Sequence, residues 1–211
     1  VRMWDTIIFN HLKSKNIVVP ANKESEKSRA YEGAYVKDPI VGFHNWIVSF
    51  DLNSLYPHLI MQYNISPETL LDTRHPHSGV DKILNQEVTF EMYKDNAICA
   101  NGAMYRKDIR GFLPELMEKI YKDRTIYKKK MLEAKQQYEK TKTKQLEKEI
   151  ARCNNIQMAR KIQLNSAYGA IGNQYFRYYK LANAEAITLS GQVSIRSVSY
   201  THLRAHETFA N

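Results

Sequence analysis

Cys99 and Cys153 are the only cysteines in the 211-residue chain, and neither has a partner at metal-ligand spacing. This argues against a disulfide scaffold and suits a reducing compartment. Long apolar runs are also lacking. None approaches the roughly 18–20 residues of a transmembrane span, so no membrane partner is expected. No signal peptide opens the chain, and Val1 in place of an initiator Met implies that the start is missing. The expectation is a soluble, intracellular protein. Acidic residues are in deficit: 22 Asp and Glu face 31 Lys and Arg, giving a formal net charge of +9. That balance calls for an anionic partner without saying whether the protein is an enzyme. Apolar residues make up 43%, enough for a core in one domain or in pieces of two.

The most informative stretch is Trp46–Ile60, WIVSFDLNSLYPHLI. Trp46, Ile47, Val48 and Phe50 have the apolar, β-rich character of a buried strand. Asp51 ends it with no apolar reason to be there. Asn53 and Ser54 are helix-start residues, and Pro57 falls early enough in the following turn to be tolerated. Such a turn brings free N–H groups of Ser54, Leu55 and Tyr56 close to a carboxylate. The N–H groups suit phosphate, and the carboxylate suits a hard cation such as Mg²⁺. An Asp at a strand–helix turn also serves as a simple helix cap, so the turn alone leaves both readings open.

Trp4, Ile7, Ile8 and Leu12 lie at helical spacing, followed by the strand-like Ile17-Val18-Val19. Residues 21–30 are polar and read as a linker. Ser66-Pro67-Glu68 reads as a helix start. In 72–89, Asp72, His75 and His77 could be imagined around a metal, although a Pro- and Gly-bearing loop more often leaves such residues solvated. Asn101-Gly102 marks a hairpin turn within 97–114, with Gly111 and Pro114 closing the second arm. From Pro114 onward, Leu116, Ile120, Tyr127, Met131, Ala134 and Tyr138 recur at helical steps. A polar tip at 139–145 and a second helical stretch from Leu146 to about Ile171 complete an αα-hairpin. Arg124 and Lys128 share a face on its first helix; Lys161, Asn165 and Tyr168 share one on its second. A coiled-coil interface would have the same pattern.

Two motifs go further. D-L-N-S-L-Y-P-H-L-I from Asp51 resembles the first carboxylate motif of family B DNA polymerases, D-x-x-S-L-Y-P-S-I-I, with His58 where that family usually has Ser. K-I-Q-L-N-S-A-Y-G from Lys161 resembles its second motif, K-x-x-x-N-S-x-Y-G, at every specified position. Tyr31-Glu32-Gly33-Ala34 is similar to the short Y-x-G-G motif between exonuclease and polymerase, its Ala34 variant shared by polymerases of large tailed phages. Residues 197–211 match nothing expected and read as a non-native read-through tail, so the resemblance stops before the family's Y-G-D-T-D-S motif.

The resemblance implies an α+β fold: part of an antiparallel polymerase palm with helices, plus a two-helix antiparallel fingers hairpin. It divides the chain into the end of an exonuclease domain and linker (1–30), palm (31–113), fingers (114–172), palm again (173–196) and the tail. It implies a DNA-directed DNA polymerase that uses two Mg²⁺ ions, deoxynucleoside triphosphates and primer–template DNA, with a sliding clamp as a further partner of the intact protein and the host cytoplasm as its place if viral. Asp51 and the Leu52 carbonyl would bind metal. Ser54, Leu55, Tyr56, Arg124, Lys128, Lys161, Asn165 and Tyr168 would bind nucleotide, Tyr56 as the gate against ribose. The fragment itself is expected to be inactive without the D-T-D pair. The alternative from another class is a non-catalytic, basic nucleic-acid-binding hairpin.

Overall fold

The computed structural model describes residues 1–21, 30–47 and 49–207. In chain order they form α1 (Arg2–Ser14), α2 (Leu55–Gln62), β1 (Leu70–Arg74), α3 (Val80–Leu84), a 3-10 turn at Glu91–Tyr93, β2 (Asn96–Ile98), β3 (Ala103–Arg106), α4 (Phe112–Thr141), α5 (Lys144–Ile171) and α6 (Leu181–Glu207). This is an α+β arrangement: a small antiparallel sheet in the order β1-β3-β2, set among helices.

Asn101-Gly102 makes the turn between β2 and β3, as its chemistry predicts. Gly102 takes φ +79°, a conformation only glycine adopts freely, and the Asn101 side chain accepts the Ala103 N–H at 3.1 Å. Both faces of β3 are covered, since Ala103, Met104 and Tyr105 are all buried. Tyr105 donates its hydroxyl to Asn183 of α6 at 2.9 Å, joining sheet to helix.

The hairpin of α4 and α5 follows from the periodicity. Leu116, Ile120, Met131 and Ala134 are buried along α4, and Cys153, Leu164 and Ala167 along α5. Each helix meets its own backbone hydrogen bonds, so only an apolar stripe needs a partner. Lys142, in the left-handed region at φ +46°, and Thr143 are the only residues between the helices.

The hairpin is mounted by residues far from it in sequence. Asn64 Oδ1 accepts the Gly111 N–H at 3.0 Å, Glu68 Oε1 the Phe112 N–H at 2.6 Å, and Ser66 Oγ the Leu113 N–H at 3.4 Å. Asn64 Nδ2 also donates to the carbonyls of Arg106 and Ile109 at 2.6 and 2.8 Å. The N–H groups of a first helical turn have no partner within the helix, and a buried helix start must find one elsewhere. Ser66-Pro67-Glu68 is therefore a helix-start signal used in an unexpected way: it forms a turn of its own and caps α4 instead.

Other expectations need correction. The stretch around Trp46 is not a strand at its described residues: Trp46 is 98% and Phe50 63% exposed. No strand among the described residues lies beside it, and a strand without a neighbour leaves its N–H and C=O groups unpaired. Val48, expected in that strand, lies outside the described residues, as does most of the expected linker at 21–30 and the end of the expected tail, 208–211. Ile17-Val18-Val19 is likewise not a strand, and Val18 is exposed. His75 is not a solvated loop residue: it is buried, its ring 5.0 Å from that of Tyr93 and 5.7 Å from that of Phe90. No group of three or more His, Cys, Asp or Glu among the described residues is placed to hold a metal ion. Helix α6 runs through Ser197, where the tail was expected to begin.

Candidate active site at the base of the helical hairpin

A cavity of about 1090 Å³ opens where the Asp51 turn meets the hairpin. Its lining includes Asp51–Pro57, Arg124 of α4, Lys161 and Asn165 of α5, and Ile195 and Val198 of α6. Most of the residues that the sequence singled out, though not Lys128 or Tyr168, thus come from three separate elements to one place.

Ser54 is the N-cap of α2 and sits in the left-handed region at φ 53°, ψ 44°. Its side chain makes no capping bond to the helix, which leaves the first N–H groups of α2 without a side-chain partner. An anion at this point would meet those groups and the positive end of the helix dipole, although α2 is only 8 residues long. Asp51 is exposed, makes no hydrogen bond or ion pair among the described residues, and is the one acidic side chain in the lining. His58 replaces the expected Ser with a longer acceptor–donor ring: its Nδ1 lies 2.9 Å from the Ser54 carbonyl, and its edge faces Tyr121 of α4. That contact stiffens the turn against the hairpin.

Arg124 is only 8% exposed, yet its Nε has no hydrogen-bond partner. A buried guanidinium nitrogen left unsatisfied is costly, and Arg124 nonetheless lines the cavity, where its charge would meet an anion. Arg160 holds Asp123 at 3.4 Å, so the acidic residue next to Arg124 in sequence is already paired. Lys161 and Asn165, one turn apart on α5, reach the lining together. Lys128 does not. It lies one turn beyond Arg124, about 6 Å further along the helix, exposed and outside the lining.

Tyr168 stands behind the lining. Its ring packs at 4.8 Å on that of Tyr56, and its hydroxyl lies 3.2 Å from that of Tyr31. Burial, reinforced by the Tyr31 hydrogen bond, pushes the Tyr168 hydroxyl well above the ordinary tyrosine value. Burial raises Tyr56 as well, with Tyr31 adding to it. Both rings therefore stay neutral and act by shape.

Sequence reasoning missed the wall made by Ile195 and Val198, and the mount at Asn64 and Glu68. Helical spacing in α6 could have indicated the first. Nothing local to Asn64 announces a helix 47 residues downstream.

Comparison with known proteins agrees with this arrangement. A family model described as "DNA polymerase family B" matches residues 3–208, and the chain belongs to that family. Among individual relatives, it is 34% identical to the DNA-directed DNA polymerase of Escherichia phage RB69 over 93% of the chain, and 33% identical to that of Enterobacteria phage T4 over 94%. DNA polymerase 1 of Pyrococcus abyssi is 34% identical over 82% of the chain. The chain spans 26% of the length of each phage relative and 19% of the archaeal one. The solved structure of the family B DNA polymerase from Pyrobaculum calidifontis superposes with a TM-score of 0.65 at 25% identity, covering 93% of this chain and 23% of that one. No helix among the described residues is long and apolar enough to cross a membrane.

Proposed function

We propose that this chain supplies the first catalytic carboxylate and the triphosphate-binding fingers of a template-directed DNA polymerase. In that reaction a primer 3′-oxygen attacks the α-phosphorus of a deoxynucleoside triphosphate, the bond to the bridging oxygen breaks, and pyrophosphate leaves. The observation that carries the reading is one cavity in which a lone carboxylate, an uncapped helix start and the buried Arg124 converge with Lys161 and Asn165.

Each group has a part that follows from its chemistry. Arg124 and Lys161 would bind triphosphate oxygens through charge-assisted hydrogen bonds. The N–H groups of Ser54, Leu55 and Tyr56 would take further oxygens. Asn165 would help place the nucleotide, and Tyr56, backed by Tyr168, would fill the space that a 2′-hydroxyl needs. Lys128 would join the clamp through a swing of the hairpin towards the turn. Asp51 and the Leu52 carbonyl would hold Mg²⁺. Of the two ions such a site holds, one would lower the pKa of the 3′-hydroxyl and the other would take up charge on the triphosphate and leaving pyrophosphate. With one acidic side chain in the lining, the residues present fit one end of such a site. Primer–template DNA would be held electrostatically by the basic surface, with a steep dependence on salt.

The test is triphosphate binding with and without Mg²⁺, in the chain as it stands and with Asp51→Asn. Metal-dependent binding that the substitution abolishes supports the reading. Binding indifferent to both metal and Asp51 would leave a basic hairpin that merely holds polyanions.

A further inference from the structure

Helix α6 touches the tyrosine cluster twice, from adjacent positions. Gln192 is buried, and its amide donates both hydrogens to the segment that begins with Tyr31: one to the Glu32 side chain at 2.9 Å, one to the Gly33 carbonyl at 2.8 Å. One turn earlier, the buried Thr188 hydroxyl lies 3.0 Å from the Glu32 carbonyl, with helix carbonyls at 3.3 and 3.2 Å as its alternatives. These bonds hold Glu32 and Gly33, and so fix where Tyr31 stands. Tyr31 meets the Tyr168 hydroxyl, and Tyr168 packs on Tyr56. Between the two tethers lies Gly191, on the side of α6 that faces Tyr56. A Cβ there would come within 3.0 Å of Tyr56 Cε1 and 3.5 Å of a Leu59 methyl. The ring therefore lies directly on helix backbone. Contacts run from Gln192 through Glu32, Tyr31, Tyr168 and Tyr56 back to Gly191, so the position of the Tyr56 ring is fixed from two sides by one helix.

We propose that Gly191, Gln192 and Thr188 are positioning residues for sugar discrimination. Gly191 sets how far the Tyr56 ring can withdraw from the cavity, and the two tethers hold the opposite side of the tyrosine stack. This rests on the reading of Tyr56 as the gate against ribose. Selection by shape is a difference between two affinities, and a Cβ at 3.0 Å requires its neighbour to give way. Gly191→Ala should therefore push the ring into the space that the sugar uses. Ala is the better helix former, so the substitution itself favours α6. Loss of the Gln192 or Thr188 bonds should loosen the stack from the other side.

The experiment labels the chain with fluorotyrosine and assigns the Tyr56 resonance by its loss in Tyr56→Phe. Mg²⁺-dependent affinities for deoxyadenosine and adenosine triphosphate are then measured. Gly191→Ala should move the Tyr56 resonance while leaving that of Tyr63 in place, and should change the deoxy-to-ribo ratio by roughly threefold or more. Gln192→Leu and the isosteric Thr188→Val should give smaller shifts in the same two readouts, with Thr188→Ser restoring them. An unmoved resonance, or a moved resonance with an unchanged ratio, overturns the positioning role. A wild-type chain that binds the two triphosphates equally, or not at all, overturns the gate itself and the selectivity claim with it. One that discriminates, with a Gly191→Ala chain that discriminates equally well, overturns the positioning claim alone.

Discussion

The α4–α5 hairpin and the segment from Tyr35 to Phe50 each lead to one side of the same cavity, and they reach it in opposite states. In the hairpin the apolar stripe is covered and the helix start is capped by Asn64, Ser66 and Glu68. In the other segment Val36, Val41, Phe43 and Trp46 are largely exposed, and no ladder hydrogen bonds are made among the described residues. Both are rich in apolar residues. The difference is where each completes its backbone hydrogen bonds: a helix does so within itself, whereas an extended segment needs another strand. The hairpin half of the site is thus self-contained in its ladder of backbone hydrogen bonds, although mounted from residues 64–68, whereas the half that carries Asp51 has no strand beside it among the described residues.

The largest effect expected from this asymmetry is complete loss of polymerisation. The chain as it stands should not extend a primer with Mg²⁺ and all four deoxynucleotides, because Asp51 is the one acidic side chain among the described lining residues and a single carboxylate cannot fix two ions. Extension that disappears in Asp51→Asn would show that the exposed half is complete after all.

Within the self-contained half, Lys161→Ala should weaken triphosphate binding by roughly tenfold to a hundredfold, the usual range for losing a hydrogen bond to a charged group. Lys130→Ala should change it by no more than about twofold, since Lys130 lies over the Tyr127 ring and away from the lining. Equal losses in a titration calorimeter would show that the hairpin acts by net charge alone.

The mount should contrast with the exposed segment in stability. Asn64→Ala removes the acceptor of the buried Gly111 N–H and the two donors to the Arg106 and Ile109 carbonyls, and should cost about 2–4 kcal/mol in urea unfolding. Trp46→Ala, at a side chain with no cover, should cost no more than about 0.5 kcal/mol. A comparable loss at Trp46 would mean that its segment is packed in solution.

A smaller effect than that of the mount lies where α1 meets α4. The hydrogen bond from Lys15, with His11 nearby, holds the Glu115 carboxyl below its ordinary value. That pair contributes fully above the unfolded carboxylate value and is lost as pH falls through the lower folded value. Because Glu115 is partly exposed, its worth is at most about 1 kcal/mol. Thermal melts of wild type and Glu115→Gln should differ near pH 6 and converge below pH 4; a difference that persists at pH 3 would assign Glu115 another role.

These contrasts also explain what the sequence made legible. Helical spacing identified α1, α4 and α5 because each helix repeats its requirement every turn. Motif residues led to Asp51, Lys161 and Asn165, which share the cavity, while Lys128 was grouped with Arg124 by helical phase, which carries no information about distance from the cavity. The run at Trp46 read as a strand because apolar, β-rich composition reports what a segment would bury, not whether a partner is present. Ser66-Pro67-Glu68 and Gln192 escaped because their partners lie 44 to 47 and 159 to 160 residues away, and no local pattern encodes such contacts.

The claim that most needs testing is that the two halves form one site. A double-mutant cycle on Mg²⁺-dependent deoxynucleoside triphosphate affinity, combining Asp51→Asn with Lys161→Ala, tests it directly. If both residues hold the same ligand, the double variant should lose about 1 kcal/mol or more less than the sum of the single losses. Losses that add to within about 0.3–0.5 kcal/mol would place Asp51 and Lys161 on separate sites and contradict the account.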